Sequence, residues 1–315
     1  MSSTEFGLPL LTALLERTVP GAELVGVVTT PPKAAGRGLK LTPSPIAQAL
    51  SAQAPELPVM APENLTSNPD LQRTLTRLAP DGLVVASYGK IIPRWILDLT
   101  PWPLGIHPSL LPKLRGPSPV RTAVLQGLTE TGITVFIMDE KVDHGPILTQ
   151  RRTPVGRDET YGNLLTRLAR LGVEVFAEAV SLISSKVAKP IPQNDEEATY
   201  TRKFTRRDTF LDFSRPRREV HNLVRAMNPD LGAAARFRSG LLKVWRTKLS
   251  DLTPQVELAP GELAVVAKQR LLVGCGDGPL EVLEVQPESR NRMPAQSFVN
   301  GFQPAPGERL EKIER

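Results

Sequence analysis

The chain of 315 residues is long enough for two domains, and 40% hydrophobic with 23% charged residues suits a globular protein with a sizeable core. Its single cysteine, Cys275, excludes an intramolecular disulfide and lacks the spaced partners of a zinc site; no apolar run reaches the length of a membrane span and the start carries no basic signal region, so a reducing, cytoplasmic setting is expected. The net charge of +6 is unevenly spread: thirteen Lys and Arg against four Asp and Glu lie between Thr201 and Ser250, a local 13 − 4 = +9 that leaves 6 − 9 = −3 elsewhere. Such a basic block is the electrostatic footprint of a polyanion, because each cation set against a phosphate releases counterions.

Leu8, Leu11, Leu14 and Leu15 recur at helical spacing before the Pro20-Gly21 stop, and Leu24 to Val28 reads as a short buried strand. Further buried strands are expected at Leu83–Ala86, Thr134–Met138 and Ile147–Thr149. Leu164, Leu168, Phe176 and Val180 mark a long amphipathic helix after Thr160. Strands alternating with helices imply an α/β domain with a Rossmann-like, mainly parallel sheet, whose ligands bind at the carboxyl ends of strands. A doubly wound sheet opens with a strand before its first helix, and here the chain starts almost directly in the helix. The first central strand is therefore expected to be missing and the true start to lie upstream of Met1, since each unpaired backbone group left in the sheet costs on the order of 1–3 kcal/mol.

The Pro-rich, polar stretch after Ala188 reads as a linker, which divides the chain into 1–187, a linker at 188–205, and 206–315. In the last part, Lys243–Trp245, Ala264–Val266 and two runs joined through Gly276-Asp277-Gly278-Pro279 read as short strands of a small β-barrel.

His107, one of only three histidines, sits in His107-Pro108-Ser109-Leu110-Leu111-Pro112-Lys113-Leu114-Arg115-Gly116, and Asp143 follows 143 − 107 = 36 residues later. A neutral imidazole can take a proton from an attacking amine near neutral pH, and a carboxylate can orient it or stabilise its charged form. His144 follows Asp143 directly, but no standard metal-ligand spacing is present, so no metal is expected. His221, on an expected helix with Leu223 and Val224, reads as structural.

The run from His107 to Gly116, Glu130-Thr131-Gly132-Ile133-Thr134, and Met138-Asp139 leading into Asp143 resemble the folate-dependent formyltransferases. Among these the methionyl-tRNA formyltransferases are most similar, through Thr29-Thr30-Pro31-Pro32-Lys33-Ala34-Ala35-Gly36-Arg37-Gly38, Ser87-Tyr88-Gly89-Lys90 and Arg292-Met293-Pro294-Ala295-Gln296. The resemblance implies a formyltransferase catalytic domain followed by an OB-like β-barrel that binds tRNA, with 10-formyltetrahydrofolate as co-substrate and initiator methionyl-tRNA as partner, acting in translation initiation without metal; a monomer away from the membrane is the default expectation. It assigns catalysis to His107, Asp143 and the position of the family's asparagine, occupied here by Gly105. It assigns the folate to Ser109, Leu110, Leu111, Pro112, Tyr88 and Gly89, and the tRNA to Arg37, Lys33 and Lys40, with Arg206 and Arg207 opening the basic domain. Glycine at 105 is expected to leave room for a water that donates in place of the missing amide. Two alternatives stay open: a formyltransferase acting on another amine, and a non-catalytic tRNA-binding relative.

Overall fold

The computed structural model describes residues 1–35, 40–249, 257–266 and 269–314. They form two compact units, one of Met1–Pro119, Glu130–Pro154 and Leu165–Thr201, the other of Val120–Thr129, Val155–Leu164 and Arg202–Arg315.

The first unit runs through α1 (Leu8–Leu15), β1 (Val27–Val28), the hairpin strands β2 (Lys33–Ala35) and β3 (Lys40–Thr42), α2 (Pro45–Gln53), β4 (Val59–Met60), α3 (Pro69–Leu78), β5 (Gly82–Ala86), α4 (Arg94–Leu97) and β6 (Trp102–His107). Next along the chain are α5 (Pro119–Leu125), which from Val120 on belongs to the second unit, β7 (Glu130–Ile137), β8 (Ile147–Pro154) and the long helix α6 (Tyr161–Ser184), which belongs to the first unit from Leu165 on. Helix starts follow local chemistry: Ser44 and Asn68 accept the backbone N–H groups of Ala47 and Leu71, and Pro45 and Pro69 take the first helical position, where no N–H is needed.

The sheet is mixed rather than mainly parallel. β1 pairs with β4 and β5 with β6 in parallel, but β6/β7 and β7/β8 are antiparallel. The sequence held a reason for the last of these: only residues 138–146 join β7 to β8, too few for the crossover of a dozen or more that a parallel pair needs.

These strands form two sheets, β1-β4 and β5-β6-β7-β8, with no described strand between them, as expected from the absent first central strand. Among the described residues Met1–Ser3 bridges them: the Met1 amine donates to the Val84 carbonyl, Ala86 N–H donates to Met1 O at 3.0 Å, Ser2 N–H to Val28 O at 3.1 Å and Ser3 N–H to Ser87 O at 3.2 Å. The rest of the gap is a cavity of about 850 Å³ lined by apolar side chains including Leu10, Leu14, Val27, Leu83, Phe176 and Val180. Burial lowers the Met1 amine to about 5. β1 is shorter than the Leu24–Val28 run, since its pairing with β4 covers only Val27 and Val28.

The second unit holds α7 (Arg217–Ala226), β9 (Ala233–Phe237), β10 (Gly240–Lys248), β11 (Leu263–Val266), β12 (Arg270–Cys275), β13 (Gly278–Pro287), β14 (Met293–Pro294), α8 (Ala295–Phe302) and β15 (Leu310–Glu311). Its sheet has the order β11-β12-β13-β10-β9-β15, with β14 on β13. The pairs between neighbouring strands are antiparallel, and among the described residues the end strands meet through an isolated Glu262–Arg309 bridge with no continuous ladder that closes a barrel. Gly276-Asp277 makes the expected tight turn between β12 and β13. The core gathers Leu211, Met227, Leu271, Leu280, Val285 and Phe298. His221 is structural as expected: it is buried, its Nδ1 lies 2.9 Å from Thr247 Oγ1, and burial lowers its pKa.

Candidate active site

His107 ends the inner strand β6, at its carboxyl edge. Its Nε2 lies 2.9 Å from Leu114 O, and a carbonyl can only accept, so Nε2 carries the proton and Nδ1 keeps a lone pair. Nδ1 faces Asp143 Oδ2 at 3.6 Å. That is beyond a hydrogen bond, and it leaves the basic nitrogen and the carboxylate as close neighbours. Asp143 adopts a left-handed conformation, φ 50°, in which aspartate is among the better tolerated residues. Two contacts hold it there: Gly116 N–H donates to Asp143 Oδ2 at 2.7 Å, and Gln193 Nε2 donates to the carbonyls of Asp143 and Gly145 at 2.9 and 2.7 Å.

The stretch expected as a linker is, in its first part, a strap on this unit. Ile191 and Ile147 exchange backbone hydrogen bonds of 2.8 Å, Arg115 N–H donates to Thr199 O at 2.9 Å, and Thr201 N–H donates to Arg115 O at 2.7 Å. Arg115, only 1% exposed, donates to Gln193 Oε1, Asp195 Oδ1 and Tyr200 Oη. Burial opposes its charge, but the bonds to Asp195 and Tyr200 outweigh burial and raise the Arg115 pKa; the bond from Arg115 in turn lowers that of Asp195. Gln193 therefore couples the buried guanidinium to the backbone of Asp143. His144 lies between carboxylates, with Nδ1 2.6 Å from Asp139 and Nε2 3.3 Å from Asp195. Among the described residues no group of His, Cys, Asp and Glu has the geometry to hold a metal.

The turn after His107 is built from within. Ser109 is fully buried and its hydroxyl donates to Lys113 O at 2.6 Å; Leu111 is buried too, with its N–H on Thr134 Oγ1 and its carbonyl on Gln150 Nε2. Leu110, Pro112 and Tyr88 are partly exposed and Gly89 is exposed. Lys33 and Lys40 are exposed on the paired strands β2 and β3, and Arg37 lies outside the described residues. Arg206 and Arg207 are exposed in the second unit, on a short turn capped by Thr205 and Asp208.

Gly105 is not beside an empty space. A methyl group there would lie 2.5 and 2.6 Å from Cε1 and Cζ of Phe136 and 3.2 Å from Cγ of Met138. The expected water at this position has no room, because the Phe136 ring fills it. Sequence reasoning also passed over Arg115, Gly116 and Gln193. Arg115 and Gly116 stood inside the quoted motif without a role, and nothing local marks Gln193.

The sequence profile described as "Formyl transferase" matches residues 2–180, and "Formyl transferase, C-terminal domain" matches residues 203–303. A methionyl-tRNA formyltransferase of Symbiobacterium thermophilum is 41% identical over 303 residues, covering 96% of this chain and 91% of that protein. One from Geobacter sulfurreducens is 37% identical over 311 residues, covering 98% and 95%. Among solved structures, an N-formyltransferase from Helicobacter canadensis in complex with folinic acid and dTDP-3-aminofucose matches at TM-score 0.62 and 15% identity, covering 89% of this chain and 96% of that one. HypX from Aquifex aeolicus in complex with tetrahydrofolic acid matches at TM-score 0.59 and 19% identity, covering 83% and 47%; at these identities both share the fold. With profiles matched over most of its length and relatives well above 30% identical end to end, this chain belongs to the formyl transferase family.

Proposed function

We propose that the chain is a methionyl-tRNA formyltransferase, moving the formyl group of 10-formyltetrahydrofolate to the amino nitrogen of methionine on initiator tRNA for translation initiation. The observation that carries it is the 3.6 Å gap between His107 Nδ1 and Asp143 Oδ2, with Nδ1 unprotonated by virtue of the Leu114 carbonyl. An amine held beside the pair, within hydrogen-bond reach of both atoms, meets a base and an anion together. As its nitrogen bonds to the formyl carbon, its proton passes to Nδ1, and Asp143 stabilises the imidazolium. Nδ1–H then faces the negative charge gathering on the formyl oxygen. When the bond between the formyl carbon and N10 of the donor breaks, the proton returns from Nδ1 to N10, which leaves formylmethionyl-tRNA and tetrahydrofolate.

Leu110, Pro112, Tyr88 and Gly89 supply an exposed, apolar and backbone-rimmed surface suited to a flat pterin, and Gly89 has no heavy atom within 4 Å of where a side chain would begin. In this reading Ser109 and Leu111 act by shaping the turn, and no metal takes part. Lys33, Lys40, Arg37, Arg206 and Arg207 contact tRNA phosphates, and the C-terminal sheet serves as an OB-like surface for the RNA. We assign the chain a cytoplasmic, monomeric state, with the catalytic domain, linker and tRNA-binding domain at 1–187, 188–205 and 206–315.

The test is the initial rate of formyl transfer from 10-formyltetrahydrofolate to charged initiator tRNA, compared with Asp143→Asn. A parent rate abolished by the substitution supports the assignment. A parent that binds tRNA but transfers nothing makes it a non-catalytic relative, and transfer only to other amines moves it to another branch of the family.

A further inference from the structure

Gly105 lies on β6 between two partners, facing Val85 on β5 and Phe136 on β7. Strand alternation puts positions 105 and 107 on one face, about 6.6 Å apart, so a side chain at 105 would be the next neighbour of His107 along the strand. On β7 the same face carries Phe136 opposite Gly105 and Thr134 opposite His107. The catalytic histidine therefore stands beside a glycine covered by an aromatic ring.

The cover is tight. Carbon atoms in contact sit about 3.5–4.0 Å apart, so the 2.5 and 2.6 Å from a methyl group at 105 to the Phe136 ring mean an overlap of roughly 1 Å at two atoms. The ring has no easy retreat. Phe136 is 3% exposed, the β7–β8 register shifts between Val135 and Phe136 at the base of this side chain, and a methyl group at 105 would also lie 3.2 Å from Met138 Cγ. A ring laid over a cross-strand glycine shields the bare backbone and fills the space its missing side chain leaves.

We propose that Gly105 and Phe136 are an exchange pair: the Phe136 ring takes the volume a side chain at 105 would use, and so puts an apolar wall where an amide would donate beside His107. The proposal rests on reading the site as a formyl-transfer site. Position 105 then cannot regain a polar side chain alone, because the amide would have to displace the ring. In this chain the formyl oxygen is met by His107 Nδ1–H, formed only after the amine has given up its proton, and Phe136 is a positioning residue that governs whether a second donor fits.

Four proteins decide it: the parent, Gly105→Asn, Phe136→Val and the double variant, each measured for Tm and for kcat and KM with both substrates. Gly105→Asn is expected to lower Tm by about 5 °C or more and to reduce kcat. Phe136→Val removes the overlapping ring carbons, so the double variant should regain the Tm of Phe136→Val. Its kcat should exceed the parent's roughly tenfold or more, with little change in KM, as expected when one oxyanion donor is gained. A Gly105→Asn protein with the parent's Tm and an equal or higher kcat overturns the proposal, as does a double variant that folds no better than Gly105→Asn. Should Gly105→Asn not fold at all, Gly105→Ala brings the same first overlap with a smaller group, and its rescue by Phe136→Val is the same test. A silent parent refutes the formyl-transfer reading alone, because coupling in Tm still decides whether the ring holds the space; additive Tm shifts overturn the exchange pair whatever the activity.

Discussion

Gly116→Ala should cripple both the stability of the first unit and its chemistry, for reasons that can be added up. Gly116 has φ +103°, and an L-residue there costs roughly 1–2 kcal/mol in backbone strain. The new methyl would lie 2.9 Å from Thr201 O and 3.0 Å from Thr201 Oγ1, so the loop or the strap must move by a few tenths of an ångström. The backbone N–H of the same residue donates to Asp143 Oδ2 at 2.7 Å, and hydrogen bonds to a charged group contribute about 1.5–3 kcal/mol. Loss of that bond together with the strain gives a destabilisation of about 2.5–5 kcal/mol. It also frees the carboxylate from its position opposite His107, so kcat should fall roughly tenfold to a hundredfold. Urea unfolding at pH 7 and initial rates of formyl transfer at saturating substrates measure the two parts. Gly301→Ala is the control: Gly301 sits inside α8 with nothing within 4 Å of its missing side chain, so alanine there should stabilise by about 0.5–1 kcal/mol. A Gly116→Ala protein within about 0.5 kcal/mol and twofold of the parent would show that neither the strain nor the Asp143 contact matters.

Asp143→Asn keeps an acceptor for Gly116 N–H but removes the negative charge facing Nδ1; kcat should drop roughly a hundred- to ten-thousandfold with tetrahydrofolate binding unchanged, and an unaltered kcat counts against the proton-transfer role. Gln193→Ala leaves the carbonyls of Asp143 and Gly145 without their donor, so stability should fall by about 1–3 kcal/mol and kcat with it; a change in neither would make the strap passive. Burial pushes the Cys275 thiol up to about 12, so thiolate is scarce at pH 8 and a disulfide reagent should label it only on unfolding; rapid labelling of the native protein contradicts this. In the second unit the hydrogen bond from Lys312, then that from Ser214, holds the Asp212 carboxyl down at about 2. Because the folded value is depressed, this contribution is present above about pH 4 and is lost as pH falls from there through about 2. Lys312→Met should show a shallower loss of stability over that window than the parent, and parallel curves would remove the pair from the account.

The proximity of His107 and Asp143 was readable because histidine is rare in this chain and because both residues follow short apolar runs, where an α/β sheet puts its ligands. Long helices and the Gly276-Asp277 hairpin were readable because their signals are local: periodicity in α6 and turn chemistry between β12 and β13. What the sequence hid was pairing across distance. Nothing near Gln193 says that its amide will reach two carbonyls 50 and 48 residues away, and nothing near Ala188–Glu197 distinguishes a free linker from a strap. The direction of β7 against β6 depends on how the chain returns after α5, which local periodicity does not encode.

Gly105 shows the same divide at a single residue. Its identity was plain in the sequence, and so was its departure from the family's asparagine, yet the inference that glycine means vacancy was wrong. The residue that fills the space lies 136 − 105 = 31 positions away and becomes a neighbour only through the antiparallel register that sets Gly105 against Phe136. The missing amide is therefore a property of two positions. Because the ring is buried and the strands around it are paired on both sides, a change at 105 alone moves the core before it reaches the chemistry, whereas a change at 136 alone opens space beside His107 without adding a donor. Neither single step is expected to improve transfer, which on the proposed mechanism leaves His107 to serve both the proton and the oxygen.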